Sequence, residues 1–425
     1  MKTFNITDYG AAVSDRLQTA AIQKAIDECF LSGGGEVIVP AGIFRTGGLR
    51  LRSNVVLHLL SGAVLEGSVD PDDYTAWRED RLEPVAGIPE AEPEKNRSAL
   101  RTSRWNNAMI RAIDAHDIGV IGEENSYING MNCYDPAGEE RYRGPHGIDI
   151  WDSERVTLRG YTLRNIGNWG HAIFRTKDID VRNVKVQGGH DGIDVFLCER
   201  VRIEDCEFLT GDDCLAGFGS RDVEMRRCVL NSSCSSIRFG GTDVVIEDCV
   251  NLREPEFDFR GMLSGEEKSR RMYSSRTCAR RVKNAFLYYC DGRFGKLPFR
   301  AGNIVIRNCR FEFTESLFKM PFGEHIWCNG DPLRSIIFEN CEISGVSRPM
   351  YIHGSAEAPV DFRLKNVRIS REAGHESGAL IEAENFAFLG LENVEASGNL
   401  RVVTRSDGEV SADCGVEVIR GERKG

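Results

Sequence analysis

The segment Val181-Arg-Asn-Val184-Lys-Val186 is one copy of a six-residue pattern that recurs along the chain. The pattern is an apolar residue, two mostly polar residues, Cys or Val, any residue and usually a second apolar residue. The first five copies are spaced by 23, 22, 22 and 21 residues. Such nearly constant spacing is typical of a solenoid, in which each repeat forms one coil. The other copies begin at Leu158, Ile203, Met225, Ile246, Ile306, Phe338, Leu364 and Leu391.

Each repeat consists of short β-type runs. Alternate residues in these runs are apolar, Gly, Asn or Asp separates them, and no helical period appears. Coils of this kind stack as parallel strands about 4.8 Å apart. We therefore predict an all-β fold, a parallel β-helix with about 22 residues per coil. One position of the pattern should point inward and form a ladder of small buried thiols rather than disulfides. Its members are Cys206, Cys228, Cys249, Cys309 and Cys341.

The composition fits one elongated domain. With 425 residues and 41% hydrophobic content, the chain can bury a continuous core, so we predict a single domain over residues 1–425 without a linker. The N-terminus has no apolar signal region and no stretch is long enough to span a membrane, which predicts a cytoplasmic protein without a membrane partner. The alternative of a secreted protein whose signal peptide has been removed is left open.

The net charge and the cysteine content limit which classes of partner and cofactor the chain can have. A net charge of −11 and a pI of 5.4 argue against nucleic acid as a partner. Fourteen Cys without metal-ligand spacing fit a reducing compartment, and we expect neither a metal nor another cofactor. Nothing in the sequence requires an oligomer.

Three segments depart from the repeat. Residues 14–31 should form an N-terminal helix, capped by Ser14, that covers the open end of the solenoid; its predicted apolar face ends at Phe30. Residues 66–104 are predicted to form a rim loop. Residues 252–302 read as an insertion between coils, with twelve Lys or Arg against six Asp or Glu. This local basic excess suggests an anionic ligand or a solvated loop.

Acidic residues collect beside one strand on successive coils. The coils align on an inward aliphatic residue, and the predicted column is Ile148, Ile173, Ile193, Leu215 and Ile237. Like charges at short range raise the pKa of one carboxyl group in a pair, and glycosidic cleavage needs one protonated acid and one carboxylate. Asp is also a common turn residue, but its recurrence on neighbouring coils favours a catalytic site. The acidic residues are Asp191, Asp194, Asp212 and Asp213.

Several short motifs carry a resemblance that runs from Phe4 to about Val250. They are Thr7-Asp-Tyr-Gly10, Ala21-Ile-Gln-Lys-Ala-Ile-Asp27, Gly33-Gly-Gly-Glu-Val, Ser53-Asn-Val-Val-Leu57, Gly62-Ala-Val-Leu65, Arg143-Gly-Pro145, the segment 165–171, Asp191-Gly-Ile-Asp194 and Gly211-Asp-Asp-Cys214. With them the chain resembles the polygalacturonase-like enzymes of glycoside hydrolase family 28, in the pectin-lyase-like superfamily. The resemblance implies a right-handed parallel β-helix and a glycosidase that degrades pectin.

The resemblance also implies roles for individual residues. The family works by inversion with three aspartates, which correspond here to Asp191, Asp212 and Asp213. By this resemblance Asp212 is the general acid, while the other two hold and activate water. Asp194 is implied as a supporting or sugar-binding residue. His171 matches a histidine of the family pattern, so it is a candidate for substrate binding or, equally, a satisfied turn residue.

The chain also departs from the family pattern. The family's Asn-Thr-Asp is Gly189-His190-Asp191 here, its Gly-His-Gly is Ser233-Cys234-Ser235, and no Arg-Ile-Lys follows. His190 is a candidate substitute for the missing histidine, or a surface turn residue. Arg238 is a candidate ligand for an anionic sugar, or half of a structural salt bridge. Trp169 and Trp327 are the candidates for stacking on sugar rings.

Three classes of function fit these residues. The first is an inverting glycosidase that releases sugars from the ends of uronic-acid-containing oligosaccharides, because a cytoplasmic enzyme would not meet intact polymer. The second is a lyase in which the aspartates hold Ca²⁺ and an arginine such as Arg238 acts as the base. The third is a β-helix that binds carbohydrate without turnover.

Overall fold

The structure is a computed structural model that describes residues 2–74, 107–271, 281–294, 297 and 299–421. The chain divides into two compact units. The first unit comprises Met1–Asp212 with Phe257–Cys278, and the second comprises Asp213–Glu256 with Ala279–Gly425. That the chain is one domain over residues 1–425 stays a prediction. Most of the predicted rim loop, 66–104, lies outside the described residues.

The first unit is built from short parallel strands that pair from coil to coil. Its helices are α1 (Thr19–Leu31), α2 (Gly265–Ser269) and the 3-10 turns Ile6–Tyr9, Pro71–Asp73, Glu139–Arg141 and Arg260–Met262. Its described strands are Thr3–Asn5, Gly35–Val39, Gly42–Thr46, Leu49–Arg50, Val55–Leu59, Ala63–Gly67, Ala108–Ile113, His116–Gly122, Tyr127–Asn129, His146–Trp151, Glu154–Arg159, Thr162–Arg164, His171–Phe174, Lys177–Arg182, Lys185–Gly188, Ile193–Phe196, Glu199–Glu204 and Glu207–Thr210.

The second unit repeats the same architecture, again with parallel pairing. It has a 3-10 turn at Gly292–Phe294. Its described strands are Leu215–Arg226, Val229–Ser232, Ser235–Glu247, Val250–Asn251, Asn284–Tyr288, Gly302–Arg307, Arg310–Phe311, Phe318–Pro321, Ser335–Glu339, Glu342–Val346, Met350–His353, Val360–Arg371, Ile381–Glu384, Phe386–Ala396, Arg401–Thr404, Glu409–Ala412 and Glu417–Arg420. The predicted fold class, an all-β right-handed parallel β-helix, is confirmed.

The six-residue pattern has a backbone cause. Its third residue adopts a left-handed conformation in every copy, with φ between 49° and 78°. Asn, Asp and Gly reach this region at the lowest cost, which explains why they dominate the position. The turn lets the chain leave one strand and start the next, so the pattern marks the corner of each coil. The residues are Gly160, Asn183, Asp205, Arg227, Asp248, Asn308, Asn340, Asn366 and Asn393.

The fourth residue of the pattern points into the core. The five predicted ladder cysteines are free thiols and at most 2% exposed. In the second unit the Cys249 thiol donates to the Glu247 carbonyl at 3.3 Å, and Cys309 repeats the contact with Arg307 at 3.2 Å. A small residue that can donate to a nearby carbonyl therefore suits this corner.

The predicted alignment of the coils is wrong at one rung. Ile148 pairs with His171, and His171 with Ile193, so His171 rather than Ile173 occupies the inward position. Its imidazole is fully buried and contacts the Tyr161 hydroxyl through Nε2 at 2.8 Å and the Gly192 carbonyl through Nδ1 at 3.0 Å. Both ring nitrogens are satisfied inside the coil. The imidazole therefore lies in the core of the coil, and the predicted part of His171 in substrate binding stays a prediction.

Two segment boundaries also differ from the prediction. Helix α1 begins at Thr19, since the Ser14 hydroxyl accepts from the Gln18 side chain instead of capping a helix, and Phe30 is 40% exposed. The helix still packs on the first strands of its unit. The insertion is shorter than 252–302, because the strand Asn284–Tyr288 pairs in register with the one that begins at Ser235. That strand lacks the corner pattern, so the pattern could not predict it.

Among the described residues, no helix combines the length and apolar character that crossing a bilayer requires.

The buried His171 predicts a specific pH dependence of stability. Burial lowers the pKa of His171 to about 4, so the unfolded chain takes up this proton at a higher pH than the folded one. Between pH 7 and pH 4 the proton should cost the wild type about 3 kcal/mol of unfolding free energy. The double variant H171L/Y161F removes the histidine and its hydroxyl partner, and urea unfolding at both pH values should show that it lacks this loss. The exposed His375→Leu serves as the control; the same pH dependence in wild type and double variant would contradict the assignment.

Candidate functional site

The segments that carry the acidic residues of the first unit follow two paired strands. Gly188 and Thr210 are partners at the ends of Lys185–Gly188 and Glu207–Thr210. The Gly211 amide also donates to the Gly188 carbonyl at 2.8 Å. Asp191 and Asp212 therefore leave the same edge on consecutive coils, and they are 6% and 9% exposed.

The two glycines before these carboxylates permit a close approach of the inserted segment. A Cβ at Gly211 would lie 2.1 Å from the Asp258 carbonyl oxygen, and one at Gly189 would lie 2.4 Å from Cγ of Arg260. The Arg260 amide donates to the Gly189 carbonyl at 2.9 Å. The segment 257–271 thus packs directly against the backbone that carries Asp191 and Asp212.

Arg143 connects the groups at this edge. One terminal nitrogen, Nη1, donates to Oδ1 of Asn168 at 3.1 Å and lies 3.2 Å from Nδ1 of His190. Nε donates to Glu140 at 3.1 Å, and Nη2 lies 3.9 Å from Oδ2 of Asp212. In the sequence Arg143 stands out only as part of the motif Arg143-Gly-Pro145. Its contacts with several residues of the site could not be predicted, because those residues lie on different coils.

His190 is a buried imidazole rather than a surface turn residue, with 3% of its surface exposed. Burial, with the positive charges of Arg143 and Arg260 nearby, holds the pKa of His190 well below its usual range. The ring is therefore neutral at pH 7. Since Arg143 is a donor, Nδ1 accepts and Nε2 carries the proton. The tyrosine ring of Tyr142 stacks on the imidazole, 6.0 Å between centroids.

The inserted segment also supplies a lysine. Lys268 on α2 places Nζ 4.2 Å from the centroid of the Tyr142 ring and donates to the Gly261 carbonyl at 3.1 Å. Its pKa is lowered by partial burial, an effect to which the nearby Arg260 and Arg143 add. The local basic excess of residues 252–302 was the sequence signal for these cations.

The corrected alignment changes the surroundings of Trp169. With His171 at the inward position, Trp169 occupies the same position on its coil as Asp191 does on the next, and the Gly170 amide donates to the Asp191 carbonyl at 2.9 Å. The half-buried indole packs on Phe196 and against His146, with centroids 5.8 Å and 5.4 Å away. Trp169 as a sugar-binding residue stays a prediction, now placed one coil from Asp191.

Asp194 and Asp149 lie on the outer side of the strands. Ala172 pairs with both, so the two carboxylates share a column two coils apart, each 1% exposed. Burial raises the pKa of Asp149 to about 7, against the opposing effects of Arg111 and of the Trp151 indole, which donates to it at 2.6 Å. Asp194 therefore lies in a buried polar column, and its predicted contact with sugar stays a prediction.

The second unit begins with Asp213, which is fully buried. Its Oδ1 accepts from the Ser235 amide at 3.1 Å, and its Oδ2 accepts from Nη1 of Arg238 at 3.4 Å. The Arg238 guanidinium also lies 4.2 Å from the Tyr289 centroid and 5.1 Å from that of Trp327. Trp327 is 49% exposed, so this cluster combines an oriented cation with an accessible aromatic face.

Known proteins are similar to the part of the chain that carries Asp191, Asp212 and Asp213. Residues 94–235 match the model of glycosyl hydrolases family 28. This match agrees with the predicted resemblance to family 28 over these residues. An exo-poly-α-D-galacturonosidase of Dickeya chrysanthemi is 30% identical over 262 residues, and the match covers 51% of this chain and 42% of that protein. A probable polygalacturonase of Vitis vinifera is 27% identical over 286 residues, covering 58% and 54%.

A solved structure shares the fold of this chain. An exopolygalacturonase from Thermotoga maritima superposes with a TM-score of 0.68 at 19% identity, covering 93% of this chain and 92% of that one. At this identity the likeness shows the fold alone. The chain spans about half the length of the Dickeya and Vitis relatives.

The Arg238 cluster predicts a charge-dependent loss of affinity. Replacing Arg238 by Ala removes a cation that a uronate carboxylate can contact, and should raise KM for oligogalacturonides about tenfold or more. Neutral oligosaccharides should be affected far less. The matched control is Arg363→Ala, because Arg363 also pairs with an aspartate, Asp361, and stacks on a ring, Phe388, elsewhere in the unit. Equal effects on charged and neutral substrates would show that Arg238 is structural.

Proposed function

We propose that this chain is a glycoside hydrolase that cleaves oligosaccharides containing uronic acid. The observation that carries the proposal is the pairing of two coils that brings the segments of Asp191 and Asp212 to one edge. Asp213 follows Asp212 directly in the sequence. The relatives named as a polygalacturonase and an exo-poly-α-D-galacturonosidase support the substrate class.

The proposed reaction inverts the anomeric centre. Asp212 gives its proton to the glycosidic oxygen as the bond to the anomeric carbon breaks. Asp191 and Asp213 orient a water molecule and take its proton while its oxygen attacks that carbon from the opposite face. Support for these roles comes from the resemblance of the motifs and from the burial of all three carboxylates.

The proposal includes attack at the end of the substrate. The segment 257–271 packs against Gly189 and Gly211, directly beside the backbone of the carboxylates. A segment in this place can close a groove on one side and leave a pocket for a terminal sugar. The name of the Dickeya relative points in the same direction.

The contacts of Arg238 disfavour the lyase alternative. A base must be unprotonated when it accepts a proton, whereas the Asp213 carboxylate 3.4 Å away stabilises the protonated guanidinium. Arg238 is therefore better suited to binding an anion than to abstracting a proton.

The assignment of the acid is tested by Asp212→Asn. This change keeps the size of the side chain but removes the proton that the leaving oxygen needs, so turnover should fall by about 10²-fold or more. Release of reducing ends from oligogalacturonides measures it, with circular dichroism to show that the variant is folded. Asp248→Asn is the control, because Asp248 is an exposed turn residue where Asn is well tolerated. An Asp212→Asn protein with full activity would overturn the assignment.

A further inference from the structure

Residue His190 has one ring nitrogen whose role the fold leaves unassigned. Nδ1 lies against Arg143, while Nε2 is buried and has no hydrogen-bond partner among the described residues. Burying a polar N–H without an acceptor costs about 1–3 kcal/mol. His190 precedes Asp191 in the sequence and is linked to Asp212 through Arg143, so its free donor suggests that a ligand supplies the acceptor.

The tautomer of this imidazole is fixed by its neighbour. A guanidinium can only donate, so its contact at 3.2 Å requires a lone pair on Nδ1 and places the ring proton on Nε2. Arg143 is itself held by Asn168 and Glu140, each at 3.1 Å, and therefore cannot easily turn away. His190 is thus oriented as a neutral donor.

The charges around His190 favour a negative acceptor. Arg143, Arg260 and Lys268 all raise the positive potential at the imidazole, which is also how they oppose its protonation. The same potential attracts an anion that accepts from Nε2–H. A carboxylate fits better than a hydroxyl group, since hydrogen bonds to charged acceptors are about twice as strong as neutral ones.

We propose that Nε2–H of His190 donates to the carboxylate of the bound uronic acid, and that Arg143 is the positioning residue that holds the ring in this tautomer. The inference rests on the proposed function for its substrate. It adds a buried neutral imidazole to Arg238 among the groups that contact the charge of the substrate, in a chain that lacks the family's Arg-Ile-Lys.

The binding role is tested with a matched pair of aryl glycosides, an α-galacturonide and the neutral α-galactoside. His190→Phe keeps an aromatic ring but removes the donor, and should lower the ratio of kcat/KM for the charged over the neutral substrate by about 10- to 100-fold. His190→Gln retains an N–H donor and should recover part of that ratio. His116→Phe serves as the control, because the His116 side chain is 45% exposed. An unchanged ratio in a folded His190→Phe protein would overturn the proposal.

The positioning role needs a readout that does not depend on turnover. In ¹⁵N-histidine spectra at pH 7, the His190 signal, assigned by its loss in His190→Phe, should show a protonated Nε2 and an unprotonated Nδ1. Adding galacturonic acid to the wild type should shift the Nε2 resonance, and galactose should not. Arg143→Met removes the guanidinium that donates to Nδ1, so the tautomer with a proton on Nδ1 should appear. An unaltered tautomer in Arg143→Met would remove the positioning role.

These two measurements separate the inference from the proposed function. A wild type that hydrolyses neither glycoside, while galacturonic acid still shifts the His190 signal, would overturn the hydrolase and support the binding site. If hydrolysis depends on Asp212 but galacturonic acid does not shift the His190 signal, the hydrolase is supported and the His190 binding site is overturned.

Discussion

The constraint on which the rest of the structure depends is the register of the backbone hydrogen bonds between coils. Each strand pairs with the equivalent strand about 22 residues later, so residues far apart in sequence become neighbours at fixed positions. Parallel pairing has a side-chain period of two, and a slip of one residue would exchange the inner and outer faces. The left-handed corner residues hold this register at every coil.

The chemistry of the first unit follows from that register. The partners Gly188 and Thr210 end two strands together, and the acidic segments leave from that common edge. The buried Arg143 then joins Asp212, His190 and the exposed Glu140 in one network. Because a buried charge that loses its partners is costly, the contacts of Arg143 favour one arrangement of its guanidinium. Rigid placement of acid, water and substrate is what an inverting hydrolase requires.

Much of this fold could be predicted from the sequence, because the corner pattern repeats at a nearly constant interval. The cysteine ladder and the pairing of the coils that carry Asp191 and Asp212 follow from the same spacing. The error at His171 has a clear cause: an aliphatic residue, Ile173, lies two positions later and satisfies the same alternation. Hydrophobicity alone could not show that a histidine fills the inward position with Tyr161 as its partner.

The site was less predictable than the fold. Arg143 and Lys268 reach His190 from segments 47 and 78 positions away, and no periodic pattern connects them. The strand Asn284–Tyr288 was hidden because it belongs to a part of the coil that the corner pattern does not mark. Sequence reasoning could find the basic excess of the insertion, but only the packing of Gly189 and Gly211 against it shows where that charge acts.

The central claim is that the aspartates on these coils hydrolyse a glycosidic bond by direct attack of water. The most direct test is ¹H NMR of the first sugar released from an α-linked oligogalacturonide, recorded before the anomers equilibrate. Single displacement predicts that the new reducing end appears as the β anomer. An initial α anomer would mean retention and a covalent intermediate, and would contradict the account.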